Sequence, residues 1–261
     1  STDATARVAA DAGARVVHRD DVLPHLPSHR GKGEAMWRSL LATRGELIVF
    51  IDADLREFSP DVIPALVGPL LDDERIALGK GFYERPLRDS DGNVVVEGGG
   101  GRVTELVARP LLALHWPALA GLVQPLAGEY AARRSLLETL PFACGYGVEL
   151  AMLIDTLRVQ GAPAIAQVDL GERHHRHQDL RALGRMAAEL WQVALDRLDR
   201  DGQVVLVSEP TTVLHQFGAL GGDVAASTAH DVTLRQRPPM ITVPEYRDRA
   251  SRGSATAPRR T

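Results

Sequence analysis

Apolar and polar positions along the first 170 residues alternate in two rhythms, and each change of rhythm marks an expected element. Residues 5–12 follow capping residues Ser1, Thr2 and Asp3 with helical spacing and stop at Gly13. Residues 14–18 (ARVVH) predict a short strand, and residues 20–30, with Pro24 and Pro27, a loop. Gly31-Lys32-Gly33 opens a helix reaching about Thr43. Residues 46–51 (ELIVFI) are mostly apolar and rich in β-branched side chains, the pattern of a strand buried on both faces. That run ends in Asp52-Ala53-Asp54. A helix over 60–71, a strand over 76–83 and a turn at 89–92 come next, and a glycine run then enters a helix over 103–114. Residues 122–130 read as partly strand, 147–159 as helix and 164–170 (AIAQVDL) as strand. Residues 180–200 predict a long amphipathic helix with Leu180, Leu183, Met186, Leu190, Val193 and Leu198 on one face. After Asp201 the pattern weakens, and from Arg235 onward Pro, Arg, Ser and Thr dominate. Strands that alternate with helices predict an α/β sheet covered on both faces.

Length and composition narrow the class. The 261 residues suffice for one large domain, or a domain with an extension, and 44% hydrophobic with 25% charged residues is an ordinary globular balance. The 34 acidic and 30 basic residues give a formal charge of −4, which argues against general nucleic-acid binding. A single cysteine, Cys144, excludes a disulfide within the chain and fits a reducing cytoplasm. No apolar run reaches the ~18 residues of a membrane helix. The most apolar stretch, 111–127, is broken by His115, Pro117, Gln124 and Pro125.

Five groups of residues carry candidate chemistry. Asp52 and Asp54 flank one residue at the end of a strand, where ligands of α/β sheets bind, and hard carboxylate oxygens suit Mg²⁺ or Mn²⁺ with a phosphate. The same pair can equally cap a turn. Lys32, between two glycines at a helix start, suits a phosphate, although the Walker spacing is absent. Gly98-Gly99-Gly100-Gly101-Arg102-Val103-Thr104 can cradle a phosphate or carboxylate through N–H groups, guanidinium and hydroxyl, or can be a linker with a surface arginine. Arg173-His174-His175-Arg176-His177 offers imidazoles to a metal and arginines to a phosphate, or is a solvated basic loop. Glu149 sits at a helix start, either as a substrate-positioning carboxylate or as an acid favoured by the helix dipole.

Taken in order, the stretches GKGEAMWRSL, GGGRVTELVARPLLAL, QPLAGEYAARRSLL and GYGVEL, with Asp-Ala-Asp and His-His-Arg-His, resemble the actinobacterial glucosyl-3-phosphoglycerate synthases. The resemblance runs from Ser1 to about Leu180. It implies a GT-A-type, Rossmann-like α/β fold with a mixed, mostly parallel sheet flanked by helices and a C-terminal helical extension. The catalytic domain would span 1–180, the extension 181–235 and an arm or disordered tail 236–261. It implies a retaining transfer of glucose from UDP-glucose to 3-phosphoglycerate, dependent on Mg²⁺ (or Mn²⁺ or Co²⁺), in a cytoplasmic homodimer. Lys32 would contact the donor diphosphate, Asp54 and His175 would bind the metal, and Asp52 would stand near the sugar or ribose. Gly101, Arg102, Val103 and Thr104 would hold the acceptor. Leu126 would offer its carbonyl near the acceptor hydroxyl, and Tyr146 and Glu149 would position the glucose.

Two departures stand out. His177-Gln178 occupies the place where the family has Asn-Arg, so His177 is expected to stand in for an arginine at the acceptor phosphate. The family's opening strand and its Pro-Ala-Leu-Asn-Glu segment, which clasps the uracil, are not in this sequence, so half of the nucleotide site is expected to be missing. Three other readings stay open: a mannosyl relative using GDP-mannose, a binding fragment without activity, and a metal-dependent phosphohydrolase.

Overall fold

The structure is a computed structural model that describes residues 3–53, 55, 58–84, 87–88, 94–96, 101–172, 179–218 and 227–254. Its centre is a four-stranded sheet. Strand β1 is Leu47–Phe50 and β2 is Leu78–Glu84, while Leu87–Arg88 (β3) and Val94–Val96 (β4) pair as a separate small hairpin. Tyr130–Arg133 (β5), Phe142–Ala143 (β6) and Ile165–Glu172 (β7) follow. The order in the main sheet is β1-β5-β2-β7. The β2–β7 pairing is parallel, and β5 runs antiparallel to both β1 and β2. Three strands therefore share one direction, with β5 inserted against them.

Helices cover this sheet as the alternation predicts. Thr5–Asp11 forms α1, Lys32–Ala42 α2, Val62–Asp72 α3, Arg109–His115 α4, Arg134–Leu137 α5, Val148–Gln160 α6 and Leu180–Arg200 α7. Leu66 and Leu70 of α3 are sealed with Ala131 and Val168 on one face of the sheet. On the other face a larger core joins Trp37, Leu40, Leu78, Tyr130, Phe142 and the apolar side of α6. Helix α6 is buried on every side over nine consecutive residues from Val148 to Thr156, as expected of a central helix, and Glu149, Asp155 and Thr156 are the polar ones among them. On α7, Leu190, Val193 and Leu198 are buried, but Leu180 in the first turn is 74% exposed.

Several expectations change. Residues 14–18 join no ladder among the described residues, and Val16 and Val17 are exposed, so β propensity there meets no partner. Strand β1 is an edge strand with only Ile48 buried, not a strand buried on both faces. Residues 121–129 form turns, with strand beginning only at Tyr130. Residues 104–108 form a π-helical turn leading into α4.

The segment after Asp201 forms a hairpin, Val213–Phe217 (β8) with Ser227–Asp231 (β9). Gln236–Arg237 (β10) then pairs antiparallel with β6, and Pro244–Ser254 forms α8. Met240, Val243 and Tyr246 enter the main core. The arm expected from residue 236 thus packs on the body of the molecule as far as α8, and residues 255–261 lie outside the described residues.

Candidate active site

The carboxyl end of β1 delivers Asp52 beside the N-terminus of α2, which carries Lys32. Both glycines around Lys32 are there for close packing. Gly31 has φ +119°, and a Cβ on it would stand 2.9 Å from Gly145 Cα, while one on Gly33 would press into the Ala143 carbonyl. The start of α2 is thereby laid directly on the 143–145 backbone. The Glu34 N–H donates to the Cys144 carbonyl at 3.3 Å.

This packing points Lys32 between two acids from different elements. Its Nζ stands 2.5 Å from Asp52 Oδ1 and 2.9 Å from Glu149 Oε1, the latter in the first turn of α6. It also donates to the Gly128 carbonyl at 3.5 Å. Glu149 is nearly sealed at 6% exposure, whereas Lys32 and Asp52 keep 32% and 35%. The cluster is thus sealed at Glu149 and solvent-exposed in part at Lys32 and Asp52. Burial disfavours the Lys32 charge, but Glu149 and Asp52 outweigh it and hold its pKa up at about 12. A side chain on Gly128 would collide with the Asp52 carboxylate and the Lys32 ammonium, so only glycine fits against the pair.

Tyr146 is held from outside the sheet, its N–H donating to Glu189 Oε2 on α7 at 2.6 Å. Leu126 is partly buried against the main core in the turn before Gly128. Gly101 has φ +84° and leads into the π-helical turn, where Val103 and Thr104 are buried and Arg102 is exposed. Asp54, His175 and His177 lie outside the described residues. The structure therefore brings Lys32, Asp52 and Glu149 together around Gly128, and seats Leu126 and Tyr146 on anchored turns.

Two residues were not singled out by the pattern. Lys80, in an otherwise apolar strand, is 3% exposed and donates to the Ala127 carbonyl. A lysine inside an apolar strand was the available signal. Glu189 left none, since it looks like any acid on an amphipathic helix.

A metal fits this donor set in one particular way. No group of three or more His, Cys, Asp or Glu side chains that could cage an ion occurs among the described residues. Asp52 offers a hard oxygen at the mouth of a site where one ammonium meets two carboxylates. Such an oxygen suits a divalent ion that also takes substrate phosphates.

Several known proteins are similar to this chain. Residues 1–94 match the model of glycosyl transferase family 2. The glucosyl-3-phosphoglycerate synthase of Mycobacterium tuberculosis is 52% identical over 243 residues, covering 92% of this chain and 73% of that protein. That of Petrotoga mobilis is 43% identical over 252 residues, covering 97% of this chain and 77% of its own. The crystal structure of the M. tuberculosis enzyme with Mn²⁺, UDP-glucose and phosphoglyceric acid superposes with a TM-score of 0.78 at 47% identity, over 92% of this chain and 76% of that one. Another of its structures, with Mg²⁺ and UDP, gives 0.79 at 48% identity, with the same coverage of both chains.

Proposed function

The chain belongs to the glucosyl-3-phosphoglycerate synthase family, and from that premise we propose that it transfers glucose from UDP-glucose to 3-phosphoglycerate with retention of the anomeric configuration. The observation that carries this reading is the Lys32–Asp52–Glu149 cluster at the carboxyl end of β1, part-exposed at Lys32 and Asp52 and closed against Gly128. A cation shared by two acids, in a family whose solved members hold UDP-glucose, is a diphosphate and sugar cradle.

Each residue has one part to play. Lys32 stabilises the negative charge that grows on the departing diphosphate, which is where preorganised charge accelerates the reaction. Its high pKa keeps it protonated across the physiological range. Asp52 and Glu149 hold Lys32 in place and face the sugar, while Tyr146 borders it from a turn fixed by Glu189. Gly101, Arg102, Val103, Thr104 and His177 take the acceptor, with Arg102 and Thr104 on its phosphate. Leu126 presents its backbone carbonyl to the acceptor hydroxyl. Asp54 and His175 hold the divalent cation, Mg²⁺ or Mn²⁺. When bound, that ion neutralises charge on the diphosphate oxygens. With donor and acceptor held face to face, proximity supplies much of the rate. The acceptor hydroxyl gives its proton to the leaving phosphate, so no protein carboxylate need become a covalent nucleophile. Residues 1–180 form the catalytic unit and later elements buttress it. Homodimer formation belongs to this proposal as well.

The test is a donor panel. The chain is incubated with 3-phosphoglycerate, Mg²⁺ and either UDP-glucose or GDP-mannose, and the product is read by proton NMR of its anomeric signal. An α-glucoside formed only with UDP-glucose is the expected outcome. A β-glucoside refutes retention, a mannoside refutes the donor, and phosphate released without any donor points to a phosphohydrolase.

A further inference from the structure

We propose that Lys80 is a positioning residue for this transfer, its buried ammonium fixing the turn at 126–128 and with it the relation between the Leu126 carbonyl and the Lys32–Asp52–Glu149 cradle. The inference rests on the functional reading above and adds a residue to it.

Lys80 stands in the middle of β2, a strand paired on both sides, by β5 and by β7. Its neighbours on the strand are glycines with no room for a side chain. A Cβ on Gly79 would meet the Leu66 carbonyl at 2.7 Å, and one on Gly81 would meet the Glu129 carbonyl at 2.8 Å. The walls of the sheet therefore close on the strand on either side of Lys80, whose long side chain runs to the cradle side. Its Nζ donates to the Ala127 carbonyl and lies 4.7 Å from the centre of the Tyr130 ring. With Glu149 and Tyr130 it lines one narrow hollow, completed by Leu78, Met152 and Leu153.

The loop that Lys80 anchors is held at its other end by uncharged contacts and one arginine. Gln167 accepts from Val123 N–H at 2.7 Å and donates to the Gly121 carbonyl at 3.1 Å. Arg109 donates to the carbonyls of Leu122 and Val123 at 3.3 and 3.0 Å. Gln124 both accepts from and donates to the Tyr83 backbone. Near the end of the loop, lysines hold two successive carbonyls, Lys80 that of Ala127 and Lys32 that of Gly128, and the Gly81 N–H donates to the Glu129 carbonyl at 2.9 Å. Leu126 lies between the two sets of anchors, so Lys80 decides how firmly its carbonyl is aimed.

A methionine would fill the same space without the cost of burying a charge. Burial pushes the Lys80 pKa down to about 8. Glu149 of α6, Glu129 before β5 and Asp52 after β1 oppose that shift, and Lys32 of α2 adds to it. The buried Tyr130 phenol also faces it, with its own pKa raised well above the usual value, so it stays neutral. Lys80 is too deeply buried to touch substrate. It acts through the turn and through the charge it presents to Glu149.

Lys80→Met and Lys80→Arg test this. In Lys80→Met, kcat is expected to fall by about tenfold or more while KM for both substrates stays within about threefold. Hydrogen exchange at the Ala127 and Gly128 amides should quicken by about tenfold, with β5 amides unchanged. In the unaltered chain kcat should decline as pH rises through about 8, where Lys80 loses its proton, and Lys80→Arg should remove that decline. A kcat in Lys80→Met within about twofold of the parent, or turn amides exchanging at the parent's rate, overturns the proposal. Should Lys80→Met fail to fold, the unaltered chain decides: a flat kcat from about pH 7 to about 9.5 overturns it. A parent chain with no transfer at all sinks the functional reading alone, and the amide exchange still judges Lys80.

Discussion

At the scale of single residues, the site depends on what is missing from a side chain as much as on charge. Gly128 lies where any Cβ would strike both Asp52 and Lys32. Gly128→Ala is therefore expected to push the pair apart and reduce kcat by about tenfold or more, with little change in melting temperature. Steady-state kinetics beside calorimetry measures both, and parent-like kinetics would show that the pair tolerates displacement. Arg102 tests the other substrate. Arg102→Ala should weaken 3-phosphoglycerate binding by about 1.5–3 kcal/mol, the range of a charge-assisted hydrogen bond, and leave donor binding unchanged. Titration calorimetry with each substrate separates the two, and loss of the donor instead would move the glycine loop to the other half of the site.

At the scale of elements, α2 is gripped from both ends of the sequence. Glu34, two residues after Lys32, is fully buried between Arg38 and Arg237, with nitrogen–oxygen distances of 2.7 Å to each. Arg237 belongs to β10, and the neighbouring Pro238 carbonyl accepts from Trp37 Nε1 at 2.8 Å. The C-terminal segment thus fixes the helix that aims Lys32. Removing Arg237 (Arg237→Met) leaves part of a buried carboxylate unpaired and should cost about 3–5 kcal/mol. A denaturant midpoint close to the parent's would contradict this. Burial disfavours the Glu34 charge, but Arg237 and Arg38 outweigh it and hold its pKa near 2, below the ordinary 4.5. The unfolded chain therefore takes up this proton first as pH falls. The stabilisation, about 3 kcal/mol, is complete above pH 4.5 and is lost as pH falls toward 2. Glu34→Gln should flatten that acid limb of the stability curve.

At the scale of the whole molecule, the proposed function predicts that a divalent cation links donor binding to the fold. Binding that favours the native state raises stability by mass action. UDP with Mg²⁺ should raise the melting temperature, and UDP with a chelator should raise it little or not at all. Equal shifts in the two conditions would mean that Lys32 and its neighbours hold the diphosphate without a metal. The same thermal scan serves the C-terminal segment. Because Met240, Val243 and Tyr246 share one core with Trp37 and Leu40, the chain should melt in a single transition through α8.

The sequence by itself determined the alternation of strands and helices, the long amphipathic α7, and Lys32, Asp52 and Glu149 as candidate chemistry. These are local matters of periodicity, capping and unusual residues at element ends, and the dense run of family motifs implied the roles proposed for them. Other features needed the tertiary structure, because they concern partners remote in the chain. Whether β1 is central or at the edge depends on where β5 inserts, and β5 lies 80 residues away. Residues 14–18 have the composition of a strand, yet join no ladder among the described residues. Lys80 is only a lysine in an apolar run until Ala127 and Glu149 close over it. The tail after Arg235 looks like an arm by composition, and only the meeting of Arg237 with Glu34, 203 positions apart, makes residues 236–254 part of the body. Composition reports whether a segment can remain in water, whereas burial depends on which surface is offered to it.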